Sequence, residues 1–142
     1  MLQICQPLPL IAKPHPFKGA EWIFQLKYEG FRALAYREHG RCRLLSRNGH
    51  GFSSFALLAS SLATILHGGG VVLDGEIACI DSKGRPRFND FFFRRREPCF
   101  CAFDLLYLNG NDCRRDSLAQ RKVNLEKVLA WLEYSVPKVR AE

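Results

Sequence analysis

At 142 residues, with 47% hydrophobic and 25% charged side chains, the chain has the size and composition of one globular domain, which excludes disorder, collagen and low-complexity fibre. Its longest apolar stretch, 55–66, contains Ser60, Ser61 and Thr64 and is too short to span a bilayer, and no basic region precedes an apolar run at the N-terminus, so neither a membrane segment nor a signal peptide is expected. Lys and Arg number 21 against 14 Asp and Glu, and the net charge of +7 favours a polyanionic partner, nucleic acid or nucleotide.

Residues 1–20 hold Pro7, Pro9, Pro14, Pro16 and Gly19 and read as a stiff, surface-hugging arm, with the domain proper over 21–142. From residue 22 the pattern has period two. Trp22, Phe24, Leu26 and Tyr28 alternate with Ile23, Gln25, Lys27 and Glu29, which predicts a half-buried strand over 22–28 with Lys27 near its end. After Gly30, strands are predicted over 31–37 and 41–46, joined by the turn Glu38-His39-Gly40. Asn48-Gly49 is a turn signal, and Ser53 or Ser54 opens a helix that runs to about 66 and stops at Gly68-Gly69-Gly70.

A strand over 71–80, a turn at 81–84 and a short helix over 88–95 follow. Residues 99–108 are apolar on both faces except at Asp104, as a central strand should be. Asn109-Gly110-Asn111-Asp112 turns the chain, and Ser117-Leu118-Ala119-Gln120 has the form of a capping box that opens a helix to about 134, with Leu118, Val123 or Leu125, Val128, Leu129 and Leu132 as its buried stripe. Hairpins mixed with helices predict an α+β fold with largely antiparallel sheet. The six cysteines include no Cys-x-x-Cys pair and three lie in apolar runs, and the four histidines are scattered. This pattern reads as free thiols in a reducing cytoplasm, without a zinc site.

Three features carry chemistry. A strand-borne lysine such as Lys27, over a partly dry cleft, can lose its proton and act as a nucleophile, or can be a solvated surface group. Asp74 and Glu76, two apart on one strand, share a face and need a metal, a basic side chain or a ligand hydroxyl as partner, or form ion pairs on an exposed face. In the stretch 85–96 five arginines surround four phenylalanines, with Arg94, Arg95 and Arg96 consecutive. They can grip a DNA backbone, or be solvated while the phenylalanines fill a core.

Four segments then appear in order: Lys27-Tyr28-Glu29-Gly30-Phe31-Arg32; Ser46-Arg47-Asn48-Gly49; Leu73-Asp74-Gly75-Glu76-Ile77; and Phe103-Asp104-Leu105-Leu106-Tyr107-Leu108-Asn109-Gly110. Over about 7–134 this resembles the adenylation domain of ATP-dependent DNA ligases, especially the bacterial end-joining type. The resemblance implies an antiparallel-sheet-rich, ATP-grasp-like covalent nucleotidyltransferase fold in truncated form. It also implies lysyl-AMP formation from ATP at Lys27 and nick sealing in DNA repair and recombination.

By the same resemblance, Arg32 and Arg47 would hold the sugar and phosphate side, Glu76 would accept from a ribose hydroxyl, and Phe103 would stack on adenine. Taken without it, Phe103 reads equally as a core residue of a central strand. Glu29 stands where the family has Asp, and with Asp74 is a supporting group. Gln25 stands where close relatives often have Glu. Mg2+ is the implied cofactor beside ATP, but the later motifs that supply its main ligand, two further lysines and an OB-fold domain are not found here. The alternatives are a nucleotide- or DNA-binding remnant, or one half of a split ligase completed by a second chain. The missing strands predict an open apolar edge near 71–80 or its neighbour, an uncovered Phe-rich stretch at 91–93, and self-association.

Overall fold

Alternating apolar stretches become strands where a neighbour is present to complete the ladder. The computed structural model describes residues 2, 4–7 and 9–130, and the backbone of 139–141. Strands β1 (Phe31–Glu38) and β2 (Arg41–Ser46) form a hairpin closed by His39 and Gly40, both at positive φ. That pairing of left-handed residues matches the twist of a two-residue hairpin.

Residues 53–55 form a single 3-10 turn ahead of helix α1 (Ala56–Ile65). Strand β3 (Val71–Ala78) then returns antiparallel to β1, and β4 (Cys99–Leu108) runs antiparallel to β3. Between them lies the one-turn helix α2 (Asp90–Phe93). Strand β5 (Asn111–Asp112) closes a second short hairpin on β4 through Asn109 and Gly110, again both at positive φ. Helix α3 (Leu118–Ala130) follows, and β6 (Val139–Ala141) pairs parallel with β4. The main order is β2-β1-β3-β4-β5, so the architecture is α+β with an almost wholly antiparallel sheet.

The helices cover one face of this sheet. Leu58, Leu62 and Leu66 from the α1 region and Leu125 and Leu129 from α3 meet Ala33, Ala35, Leu73, Ile77, Phe100 and Leu105. A leucine as fully buried as Leu62 contributes about 1.5–3 kcal/mol. On the other face the arm supplies a patch. Leu2 and Cys5 pack on Leu34, Tyr36, Val72 and Leu106, and the Tyr36 hydroxyl accepts from the Cys5 N–H at 2.6 Å. The rest of that face is left for charged groups.

Three expectations are corrected. Residues 22–28 form no strand, because no described segment pairs with them. Trp22, Phe24 and Leu26 are exposed, and Phe17 packs edge-on against Trp22 instead. Lys27 therefore sits on the segment leading into β1 rather than at the end of a strand. Nor does β3 itself have an open edge, since it lies between β1 and β4; on its far side the neighbour β4 is paired, among the described residues, only at Phe100–Ala102 with β6 and at Tyr107 and Leu108 with β5.

The third correction concerns α3. Ser117 caps it, accepting from the Gln120 N–H at 3.2 Å, but Leu118 is exposed and the polar Arg121 is buried in the stripe. Arg121 grips buried Asp104 with two hydrogen bonds of 2.8 and 3.0 Å, which ties α3 to β4. The expected continuation of α3 to residue 134 lies outside the described residues.

Candidate functional site

Strand alternation puts Arg32, Asp74 and Glu76 on the face without helices, next to the patch covered by the arm. Arg32 stands opposite Glu76 in the β1–β3 ladder. Its guanidinium turns to Asp74, with Nε donating to Oδ1 and Nη2 to Oδ2, both at 2.7 Å. The matching fork geometry makes this a strong pair. Burial pushes the Asp74 carboxyl above its usual range, and Arg32 opposes that rise.

Phe103 reaches this face through an irregularity in β4. The register against β3 passes from Asp74↔Asp104 to Gly75↔Ala102, which leaves Phe103 as the extra residue of a bulge. Bulges re-aim side chains, often beside functional sites. Phe103 is half-buried, and the Arg32 guanidinium lies over its ring, 4.7 Å from the centroid. Gly75 is required here, because a Cβ would stand 2.5 Å from the Cys101 carbonyl oxygen and 2.6 Å from the Phe100 ring.

Glu76 is also half-buried. Burial raises its carboxyl, while the charges of Arg32 and then Lys27 act to lower it. Lys27 is exposed, and the segment carrying it is seated by its neighbours. Tyr28 packs on Ala78, Cys99 and Cys101, and Gly30 lies so close to β3 that a Cβ would fall 2.0 Å from the Ile77 carbonyl oxygen. Glu29 between them is exposed. Arg32, Asp74, Glu76 and Phe103 thus share one end of the open face, and Lys27 lies on the segment leading to β1, near enough for its charge to act on Glu76.

Arg47 stands apart from them. It is exposed in the turn after β2 and lines a cavity of about 500 Å³ with Ile4, Gln6, Tyr36 and Asn48. Arg94, Arg95 and Arg96 follow α2, all exposed, with Arg96 bound to Asp90 at 2.8 Å. Sequence reasoning missed the Asp104–Arg121 pair. A lone aspartate in an apolar strand was its signal, but its partner lies on another element.

Among the described residues no group of three or more His, Cys, Asp or Glu could hold a metal ion. Asp74 and Asp104 are each taken by an arginine. The residues described do not fit a magnesium site. All six cysteines are free thiols, and no helix of the described residues is long and apolar enough to cross a membrane.

Comparison with known proteins gives this cluster a context. Residues 3–141 match the family described as ATP dependent DNA ligase domain. The chain is 36% identical over 124 residues to the multifunctional non-homologous end joining DNA repair protein LigD of Mycobacterium tuberculosis, covering 86% of this chain and 16% of that protein. It is 38% identical over 117 residues to the multifunctional non-homologous end joining protein LigD of Pseudomonas aeruginosa, covering 77% and 14%. Among solved structures, the ligase domain of M. tuberculosis LigD superposes with a TM-score of 0.66 at 35% identity, over 73% of this chain and 36% of that one. A mycobacterial DNA ligase D complexed with ATP and MES matches equally, with a TM-score of 0.66 at 36% identity, over 73% and 35%. The chain spans about a third of the solved ligase domains and a smaller share of the full-length relatives. A family match over nearly the whole chain, with relatives and solved structures agreeing in sequence and fold, establishes that the chain belongs to the ATP-dependent DNA ligase family, in its adenylation domain.

Proposed function

We propose that Lys27 takes AMP from ATP as the first step of a DNA-joining reaction in end-joining repair. The observation that carries this reading is the assembly of Arg32, Asp74 and Phe103 on one face beside Glu76, whose carboxyl feels the charge of Lys27. The Lys27 Nζ, having given its proton to solvent, attacks the α-phosphorus. A P–N bond forms, the bridging P–O bond breaks, and pyrophosphate leaves with the electron pair. Positioning and charge stabilisation supply most of the catalysis in such transfers.

In this reading Phe103 takes the adenine face and Glu76 accepts from a ribose hydroxyl. Arg32 serves the sugar and phosphate side, with Asp74 as the residue that positions it. Arg47 reaches the phosphates from the other end of the face, and Glu29 supports the Lys27 segment. The AMP then passes to a DNA 5′-phosphate. The test uses ATP labelled in the α-phosphate. Label should remain on the protein through denaturation, be released by acid as expected of a phosphoramidate, and be lost in Lys27→Ala. Label retained by that variant, or none on the wild type, rejects the proposal.

One observation favours a second reading. The Arg32 guanidinium, pinned by Asp74, already covers one face of Phe103. With Arg32 held in this way, the face would bind adenine nucleotides without transfer. AMP and ATP would then bind within about tenfold of each other, since a preference larger than about 1.4 kcal/mol requires phosphate contacts.

A further inference from the structure

Outside the Lys27 cluster a groove of about 980 Å³ lies between the start of β1, the α1 entry and the residues after α2. Its floor is aromatic. Phe91 stacks edge-on against Phe31 at 5.2 Å and Phe55 at 5.9 Å, and Phe52 lies 5.8 Å from Phe55. Its rim is cationic, with Arg94 and Arg95 exposed and in no ion pair with another described residue. Phe92 and Phe93 are 69% and 63% exposed, so α2 does not merely fill a core. Arg95 lies over the Phe93 ring, 4.7 Å from its centroid. Arg94 holds a left-handed φ of 49°, a conformation uncommon for a residue with a side chain.

Exposed rings flanked by unpaired guanidinium groups combine the two elements that hold an unpaired nucleic acid strand. The rings stack on base faces and the cations follow the phosphates. In a duplex the base faces are already stacked on one another, so rings in a groove reach only bases that have left the helix. The groove is separate from the Lys27 cluster, because Phe31 points to the helix-covered face and its neighbour Arg32 to the other. We infer that this groove binds an unpaired stretch of DNA, such as a single-stranded tail next to the joint, through Phe92 and the Arg94–Arg95 pair. The choice of DNA over RNA rests on the family to which the chain belongs.

The test is fluorescence anisotropy of a labelled oligo-dT twelve-mer with the 142-residue chain, across a salt series. The single strand should bind more tightly than a duplex of equal length or an oligo-U of the same length. Phe92→Ala should weaken binding by about tenfold or more, the effect of losing one stacked base. The double variant Arg94→Ala/Arg95→Ala should flatten the log–log salt slope by about 1.4, or 0.7 for each lost phosphate contact. As a measurement independent of any variant's folding, 5-bromouracil crosslinking to the unaltered chain should map to residues 91–96. Wild-type slopes in the double variant, a duplex or RNA bound more tightly, displacement of the oligonucleotide by polyglutamate at equal charge, or crosslinks elsewhere would each overturn the inference. Lys27 labelling, followed in the same preparations, separates the two readings. Its failure with oligonucleotide binding intact strikes only the nucleotidyl transfer.

Discussion

Replacing Asp74 by Asn keeps the shape of the side chain but removes the charge that Arg32 was folded against. The Asp74 and Arg32 side chains retain only 3% and 16% of their exposure. Removing one partner of a buried pair costs about 3–5 kcal/mol, because the other charge is left unmatched. Arg32 keeps some contact with water and its place over Phe103, so the low end, about 3 kcal/mol, is expected. For a chain of this length that is a fall of about 9 °C in Tm, or of about 2 M in the urea midpoint. The assay is urea unfolding followed by circular dichroism, in a cycle with Arg32→Met and the double variant Arg32→Met/Asp74→Leu. The double variant should recover most of the loss, since an apolar pair leaves no stranded charge. For contrast, Arg114→Ala, which breaks the exposed pair with Asp112, should cost no more than about 1 kcal/mol. A loss below about 1 kcal/mol in Asp74→Asn, or a double variant that loses the sum of the singles, would refute the reasoning.

Gly30→Ala forces a Cβ toward the Ile77 carbonyl oxygen, so it should cost about 2 kcal/mol or more and displace Lys27, lowering Lys27 labelling further than the stability loss explains. Unchanged labelling in a folded Gly30→Ala would contradict that. Burial raises Glu76 above 4.5, so its contribution to stability is complete below that pH and is lost as pH rises through the folded value. Glu76→Gln should accordingly lose less stability than the wild type between pH 4.5 and 8, whereas parallel urea midpoints for the two proteins over that range would oppose the assignment. Trp22, Phe24, Leu26, Phe92 and Phe93 are all exposed, which predicts concentration-dependent self-association or capture of a second chain. Sedimentation as a monomer at all micromolar concentrations, without hydrophobic-dye binding, would speak against it.

The strands of the first hairpin are legible in the sequence because they are each other's ladder partners, joined by the positive-φ turn His39-Gly40, and β4 is legible because it is apolar on both faces. The segment 22–28 carries the same alternation and fails as a strand, because alternation specifies a pleated surface only when something pairs with it. The shared face of Asp74 and Glu76 follows from spacing alone, and the basic partner among the alternatives is the one found, Arg32. The placement of Phe103 was hidden, since a one-residue bulge leaves an apolar run looking unbroken. Arg121 was hidden for a related reason: helix periodicity marks which positions face inward, and a buried arginine is acceptable there only because Asp104 waits on another element.

Intact-mass measurement of the 142-residue chain after incubation with millimolar ATP and magnesium tests the central claim most directly. The account predicts a gain of one AMP per chain, mapped to Lys27 and absent from Lys27→Ala. It also predicts a reduced yield in Phe103→Ala and Glu76→Ala. A chain of unchanged mass, or an adduct on any other residue, would contradict it.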